Sequence, residues 1–143
     1  MIEAVTSFRR RDRVRSSGTG TGPESVLLLQ ASYYVATGVW PLIGERSFQA
    51  VTGPKRDFWL VKTVGVIVAA IGAVLGMAVN KRRVTPEIRT LAVATAAGLA
   101  AIDFHYVHRG RISPVYALDG GINAALALVI LSRAYAVGQS AHG

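Results

Sequence analysis

The sequence predicts an all-α fold: a bundle of four transmembrane helices that follows a disordered, basic N-terminal tail. Of 143 residues, 51% are hydrophobic and only 17% are charged, against about 25% charged residues in soluble domains. Four apolar stretches alternate with short polar segments, and each approaches the roughly 20 residues that a helix needs to cross a bilayer. The chain has no cysteine, which excludes a disulfide scaffold, a thiolate zinc site, an iron–sulfur cluster and a cysteine nucleophile.

The first 24 residues are predicted to be a disordered cytoplasmic tail. They carry few large apolar side chains, and a basic run is followed by serine, glycine and threonine. Such a segment cannot bury enough surface to offset the backbone entropy lost on folding. The transmembrane domain is therefore expected over 25–137, and 138–143 is predicted to form a short C-terminal tail.

The first two helices are predicted at about 25–43 and 57–79. Residues 25–43 include no charged side chain over 19 positions, and 17 uncharged residues lie between Lys62 and Asn80. Pro41 falls in the last turn of the first helix, where the loss of one backbone donor costs little. Both stretches are long enough to span the membrane.

The third and fourth helices are predicted at about 86–107 and 112–132. Pro86 suits the first position of a helix, and Thr85 before it suits the cap. Each stretch contains only 13 uncharged residues between charged ones, so length alone would also fit buried helices of a soluble protein. We predict spanning helices because Arg89 can reach one interface and each aspartate can face the protein interior.

The distribution of lysine and arginine predicts a multi-pass protein of the cell membrane, in bacteria the inner membrane, with both termini in the cytoplasm. Ten of these residues lie on the side of the termini and six on the opposite side, and positive flanks resist translocation. The opposite side also carries a predicted belt of aromatic residues, as expected at an interface: Trp40, Trp59, Tyr106 and Tyr116.

The net charge of +8 does not predict nucleic-acid binding. A nucleic-acid site needs a basic, folded face, whereas these arginines lie on a tail and on helix flanks. The expected partner is the lipid bilayer, whose anionic head groups attract basic segments.

Three ionisable residues lie within the predicted spans: Lys62, Asp103 and Asp119. All three fall about 7 to 9 Å inside the outer end of their helices, at 1.5 Å per residue. Because such residues are expensive in hydrocarbon unless paired or wetted, we expect Lys62 to contact both aspartates. Helical spacing adds three more polar residues around them: Tyr106, Tyr116 and Asn123.

This expected polar cluster has three interpretations. One lysine between two aspartates neutralises buried charge and fixes the packing of the helices. Alternatively, the cluster opens to the outer leaflet as a site for a small lipid-like or quinone-like molecule. In the third interpretation, Asp103 or Asp119 exchanges protons in catalysis or transport. The outer loop from Gly44 to Arg56 is either a lid over the cluster or a simple connector.

Two further sequence patterns bear on helix packing and on metal binding. Small residues on one face of the second helix predict close helix packing, either within the bundle or between copies of the chain: Gly65, Ala69, Gly72 and Gly76. His105 and His108 have a spacing that can hold a metal on one helix face. We predict no metal site, because these histidines lie where the third helix meets the polar loop that begins at Arg109.

The run YYVATGVWPLIGERSFQAVTGPKRDFWLVK from Tyr33, with DFHYVHRGRISPVYALDG from Asp103, resembles small four-helix membrane proteins of bacteria and, distantly, DoxX-type proteins. The resemblance covers about residues 26–135 and implies a four-helix bundle with, in some members, a link to quinone redox systems. It assigns no catalytic residue. Four-helix multidrug exporters differ, because they use a glutamate in helix one, where this chain offers only Gln30, Tyr33, Tyr34 and Thr37.

We therefore favour a non-enzymatic integral membrane protein, either an accessory subunit or a binder of a small lipophilic ligand. The alternative is a membrane enzyme or proton-coupled transporter that uses Asp103 or Asp119 in quinone- or lipid-linked chemistry. No cofactor is expected apart from the quinone that the resemblance implies. A second membrane protein or another copy of the chain is the expected protein partner.

Overall fold

The computed structural model describes residues 22–139, and this part of the chain is helical without strands. Five helices follow one another: α1 (Pro23–Ile43), α2 (Glu45–Thr52), α3 (Phe58–Asn80), α4 (Pro86–His108) and α5 (Val115–Gln139). The all-α prediction is confirmed. The predictions made for residues 1–21 and 140–143 lie outside the described residues.

Four of these helices, α1, α3, α4 and α5, are long and apolar enough to cross a membrane. Their large apolar side chains project outward from the bundle, with Leu29, Leu118 and Leu128 exposed over 63%, 67% and 67% of their surface. Exposed apolar surface on this scale is unfavourable in water and suits a hydrocarbon environment. The chain is a multi-pass membrane protein built on four transmembrane helices.

Two helices differ from the prediction. A short helix, α2, forms inside the segment 44–56 that was predicted as a loop, and α5 runs from Val115 to Gln139 rather than from about 112 to 132. Arg133 lies within α5, and its Nη1 donates a hydrogen bond to the carbonyl of Gly22 at 2.8 Å. The charged group thus finds a partner at the start of α1, and the backbone stays helical beyond it.

The turn between α3 and α4 is short and well defined. Arg82 takes a positive φ of 51°, a left-handed conformation that ends α3 and reverses the chain. Thr85 then caps α4, where its side chain accepts a hydrogen bond from the Ile88 amide. Pro86 occupies the first turn, as predicted from its restricted φ.

The helices pack as two pairs, α1 with α3 and α4 with α5, and α1 also contacts α5 over a shorter stretch. The α1–α3 contact depends on glycine. A Cβ atom on Gly38 would lie 2.5 Å from the carbonyl oxygen of Gly65, and one on Gly72 would lie 2.8 Å from the carbonyl oxygen of Ala31. Such close approach of backbones is how transmembrane helices gain packing energy in lipid.

The buried apolar core lies toward the end of the bundle where both α1 and α4 begin. It takes residues from all four spans: Val26, Leu27, Ala31, Leu75, Ala92, Ala96, Leu126, Ala127 and Ile130. The other end of the bundle, where α1 and α4 finish, is where α2 packs against α1 and α5.

The α1–α3 contact predicts a strong effect of Gly38→Ala. The added methyl group would overlap the backbone of α3, so we expect a loss of about 1 to 3 kcal/mol in the free energy of unfolding. Gly98→Ala is the control, because a Cβ at Gly98 meets nothing within 4 Å. Reversible unfolding in mixed micelles measures both. Equal stability of the two variants would contradict the described α1–α3 contact.

Candidate functional site: a polar cluster between helices

The polar residues of α1 lie on one face of the helix. Gln30, Tyr33, Tyr34 and Thr37 follow the spacing i, i+3, i+4 and i+7, which places their side chains in one stripe. Gln30 and Tyr34 are 0% and 1% exposed. This stripe therefore faces the protein interior rather than lipid.

Hydrogen bonds connect this stripe to α4 and α5. Gln30 Nε2 donates to the carbonyl of Ala92 at 2.9 Å, and the Tyr34 hydroxyl donates to Asn123 Oδ1 at 2.9 Å. Asn123 Nδ2 in turn donates to the backbone carbonyl of Asp119 at 3.1 Å. Within a membrane such groups must find partners inside the protein, so these bonds join α1 to the α4–α5 pair.

The two aspartates lie at the end of this network that is nearer to α2. Tyr33 donates a hydrogen bond from its hydroxyl to Asp119 Oδ1, and Asp103 on α4 lies close enough to Asp119 for their carboxyl groups to interact directly. Asp103 is 7% exposed, and its Oδ2 atom has no hydrogen-bond partner among the described residues. The cluster thus contains a buried, unused acceptor.

Gly120 allows α4 and α5 to approach each other beside the aspartates. A Cβ atom at this position would lie 3.1 Å from Asp103 Cβ and 3.4 Å from the ring of Phe104. A larger residue would therefore push directly on the carbon that carries the Asp103 carboxyl group.

The short helix α2 packs at this end of the bundle through aromatic contacts. The rings of Trp40 and Phe48 meet edge to face with centroids 5.5 Å apart, and Phe48 and Phe58 do so at 6.1 Å. Such pairs add to the stability that burial alone gives. α2 is therefore held against the ends of both α1 and α3.

The segment after α2 contacts Tyr116, the polar residue at the start of α5. Thr52 is buried, Lys55 Nζ donates to the Thr52 carbonyl at 3.1 Å, and the same ammonium lies 5.1 Å from the centroid of the Tyr116 ring. Partial burial lowers the pKa of Lys55. The segment after α2 thus packs against the start of α5, a contact that fits both a lid and a simple connector.

Lys62 does not contact the aspartates, and we correct the prediction on this point. Its Nζ forms an ion pair with Glu45 Oε2 at 3.1 Å and lies 5.4 Å from the centroid of the Phe58 ring. The physical reason is the pairing of the helices: α3 packs along α1 rather than against α4 and α5. The lysine therefore reaches α2, whose glutamate supplies the neutralising charge.

The other predicted site residues divide into two groups. Asn123 belongs to the hydrogen-bonded network, and Tyr116 lies beneath Lys55. Tyr106 is 45% exposed and stacks edge to face on His105 at 5.1 Å, so it lies outside the cluster, contrary to expectation.

Of the small-residue stripe, Gly65 and Gly72 contact α1 directly, Ala69 lies against Gly38, and Gly76 has only ordinary contact with Ala31. The two histidines, His105 and His108, are exposed. Among the described residues no group of three histidine, aspartate or glutamate side chains could hold a metal ion.

The cluster offers oxygen acceptors and aromatic faces, but neither a nucleophile with its base nor a metal-ligand set. No protein-family model, curated protein or solved structure matches the chain. The chemistry of the polar cluster is therefore inferred from its own residues: two adjacent carboxyl groups next to tyrosines, with one buried carboxyl oxygen that receives no hydrogen bond from the described residues.

The Tyr34–Asn123 contact predicts a measurable cost for Tyr34→Phe. The change leaves Asn123 Oδ1 buried without a donor, so we expect a loss of about 1 kcal/mol in the free energy of unfolding. Tyr135→Phe is the matched control, because Tyr135 is 73% exposed. Unfolding in mixed micelles distinguishes the two, and an unchanged stability of Tyr34→Phe would show that this hydrogen bond does not hold α1 to α5.

Proposed function

We propose that the protein is a non-enzymatic binder of a small lipophilic molecule, held between α1, α4 and α5 with its polar end at Asp103 and Asp119. The observation that carries the proposal is the buried Oδ2 atom of Asp103, which lacks a hydrogen-bond partner among the described residues. A buried carboxyl oxygen that receives no hydrogen bond is costly. A ligand that donates to this atom would remove that cost.

The surroundings of the aspartates support a ligand site. Binding sites for small molecules are mostly apolar, with a few convergent polar groups that orient the ligand. Here the Tyr33 hydroxyl donates to Asp119 Oδ1, and α1 contacts α5 over a shorter stretch than it contacts α3. A ligand from the bilayer would enter between the two helix pairs at this point. The same site would serve an accessory subunit that presents the ligand to a second membrane protein.

The orientation with both termini in the cytoplasm, and the bacterial inner membrane as location, belong to this proposal. The excess of lysine and arginine on the side of the termini supports the orientation. With it, the carboxyl pair lies in the outer leaflet.

The quinone that the DoxX-type resemblance implies fits the site only in its reduced form. The carbonyl oxygens of an oxidised quinone need donors, whereas the donors nearest the aspartates are already used: Tyr33 donates to Asp119 Oδ1, and Asn123 to its backbone carbonyl. A quinol hydroxyl could instead donate to Asp103. We therefore do not base the proposed function on a redox reaction.

A membrane enzyme or proton-coupled transporter remains the second candidate, and the adjacency of Asp103 and Asp119 favours it. Two carboxylates in contact repel each other, and a shared proton relieves that repulsion. In this alternative the shared proton is released and taken up in each cycle. The transporter alternative predicts that protons move into vesicles that contain the protein. This proton movement should disappear when both aspartates are changed to asparagine.

Co-purification tests the proposed function. The protein is extracted in mild detergent, and the bound small molecules are quantified by mass spectrometry. We expect Asp103→Asn with Asp119→Asn to lower the bound amount of one lipophilic species at least about tenfold, which corresponds to about 1.4 kcal/mol of binding energy. Asparagine keeps the size of the side chain but removes its charge.

Lys62→Met is the matched control in this experiment, because it removes a charge that lies in the Glu45 ion pair and outside the cluster. It should retain the bound species. Size-exclusion elution and helical circular dichroism confirm that each variant is folded. A species bound equally by the wild type and the double asparagine variant, or no enriched species in the wild type, would contradict the proposed function.

A further inference from the structure

We propose that the ligand of this site is a lipophilic organic cation, whose positive group lies against Asp103 and Asp119 and whose apolar part lies along α1 and α5. This inference rests on the proposed function, namely that a small lipophilic molecule binds at the carboxyl pair. It adds the charge of that molecule.

The first argument is the balance of charge at this end of the bundle. Lys62, which the sequence analysis placed between the aspartates, is instead paired with Glu45, and Lys55 is directed to the Thr52 carbonyl and the Tyr116 ring. Within residues 22–139, neither Asp103 nor Asp119 takes part in an ion pair. The pair keeps one negative charge even when its two carboxyl groups share a proton, and that charge has no cationic partner among these residues.

The second argument is the unpartnered oxygen. Asp103 is more than nine-tenths buried, and its Oδ2 atom receives no hydrogen bond from the described residues. The neighbouring Asp119 oxygen is oriented by Tyr33, which fixes one carboxyl group while the other stays available. A positively charged group beside this pair would satisfy the buried oxygen and compensate the charge at once.

The third argument is the aromatic lining. The rings of Tyr33 and Tyr34 have centroids 6.3 Å apart and are inclined at 46°, and Tyr116 lies at the start of α5, one turn before Asp119. The faces of tyrosine rings attract cations, most strongly where water is excluded. Since the ammonium of Lys55 already lies over the Tyr116 ring, the ligand cation is expected to meet Tyr33, whose hydroxyl donates to Asp119.

An organic cation fits these groups better than a metal ion. Hard metal ions need about six oxygen ligands in a closed shell, whereas two carboxyl groups and tyrosine rings form a site that is acidic on one side and aromatic on the other. The described residues contain no group of three acidic or histidine side chains that could hold a metal. An ammonium ion that carries an N–H donor and an apolar substituent fits a carboxyl group beside aromatic rings, because it can donate to the carboxyl oxygen and lie against a ring face.

The test compares a cation with a neutral molecule of the same shape. The full chain is placed in nanodiscs of zwitterionic phosphatidylcholine, which has no net charge that would attract the cation by itself. The radiolabelled probe is protonated N,N-dimethyl-4-phenylbutylamine, whose N–H can donate to Asp103 Oδ2, and its isostere carries an isopropyl group instead of the dimethylammonium group. Equilibrium binding is measured after subtraction of partitioning into protein-free nanodiscs.

We expect saturable binding of the cation with at least about tenfold preference over the neutral isostere. The preference should disappear in Asp103→Asn and in Asp103→Asn with Asp119→Asn, and it should persist in Lys62→Met. Gly120→Ala should weaken cation binding, because its methyl group would displace Asp103, whereas Gly121→Ala should not, since a Cβ there meets nothing within 4 Å. These paired glycine variants keep the test independent of any change in charge.

Three results would overturn the inference. In the first, the cation and its isostere bind equally, and both lose binding in the asparagine variants. The lipophilic-ligand site would then be supported, but without a preference for a positive charge. Cation binding that is unchanged in the double asparagine variant would place the cation elsewhere. The absence of saturable cation binding would also refute the inference. The co-purification experiment makes no assumption about the charge of the ligand, so it tests the proposed function separately.

Discussion

The hydrogen bonds that Tyr33 and Tyr34 make across to α5 are the interactions on which the arrangement of the bundle depends. Backbone contact through Gly38 and Gly65 holds α3 to α1, and α4 packs along α5 as a second pair. In hydrocarbon, apolar side chains gain little by exchanging lipid for protein, so polar contacts and close packing must select the partners. The tyrosine contacts do so for the two helix pairs, and they position the carboxyl groups.

The spanning helices were predictable because hydropathy and length are local properties. The absence of charge over 25–43 and the threonine–proline start at 85–86 were enough to place α1 and α4 within two residues of their observed ends. Helix α2 was missed because its stability does not come from its own eight residues. It depends on Phe48 packing between Trp40 and Phe58, and these contacts form only once α1 and α3 lie side by side.

The candidate site was predicted in part. The carboxyl pair and Asn123 were placed together from depth and helical spacing, whereas Lys62 was assigned to them because these acids lie at the same depth in the predicted spans. Glu45 lies two residues past the end of the first span, in the segment that was predicted as a loop. The stripe on α1, at i, i+3, i+4 and i+7, was visible in the sequence. The sequence could not show which helix packs against this stripe, since any of the three other spanning helices could have faced it.

The central claim, that tyrosines of α1 rather than Lys62 of α3 engage the aspartates, is tested most directly by two double-mutant cycles. The free energy of unfolding in bicelles is measured for Tyr33→Phe and Asp119→Asn, alone and together, and for Lys62→Met with Asp119→Asn. A coupling energy of about 1 kcal/mol for the Tyr33–Asp119 pair, and about zero for the lysine pair, is the predicted result. Coupling of Asp119 to Lys62 but not to Tyr33 would contradict the account.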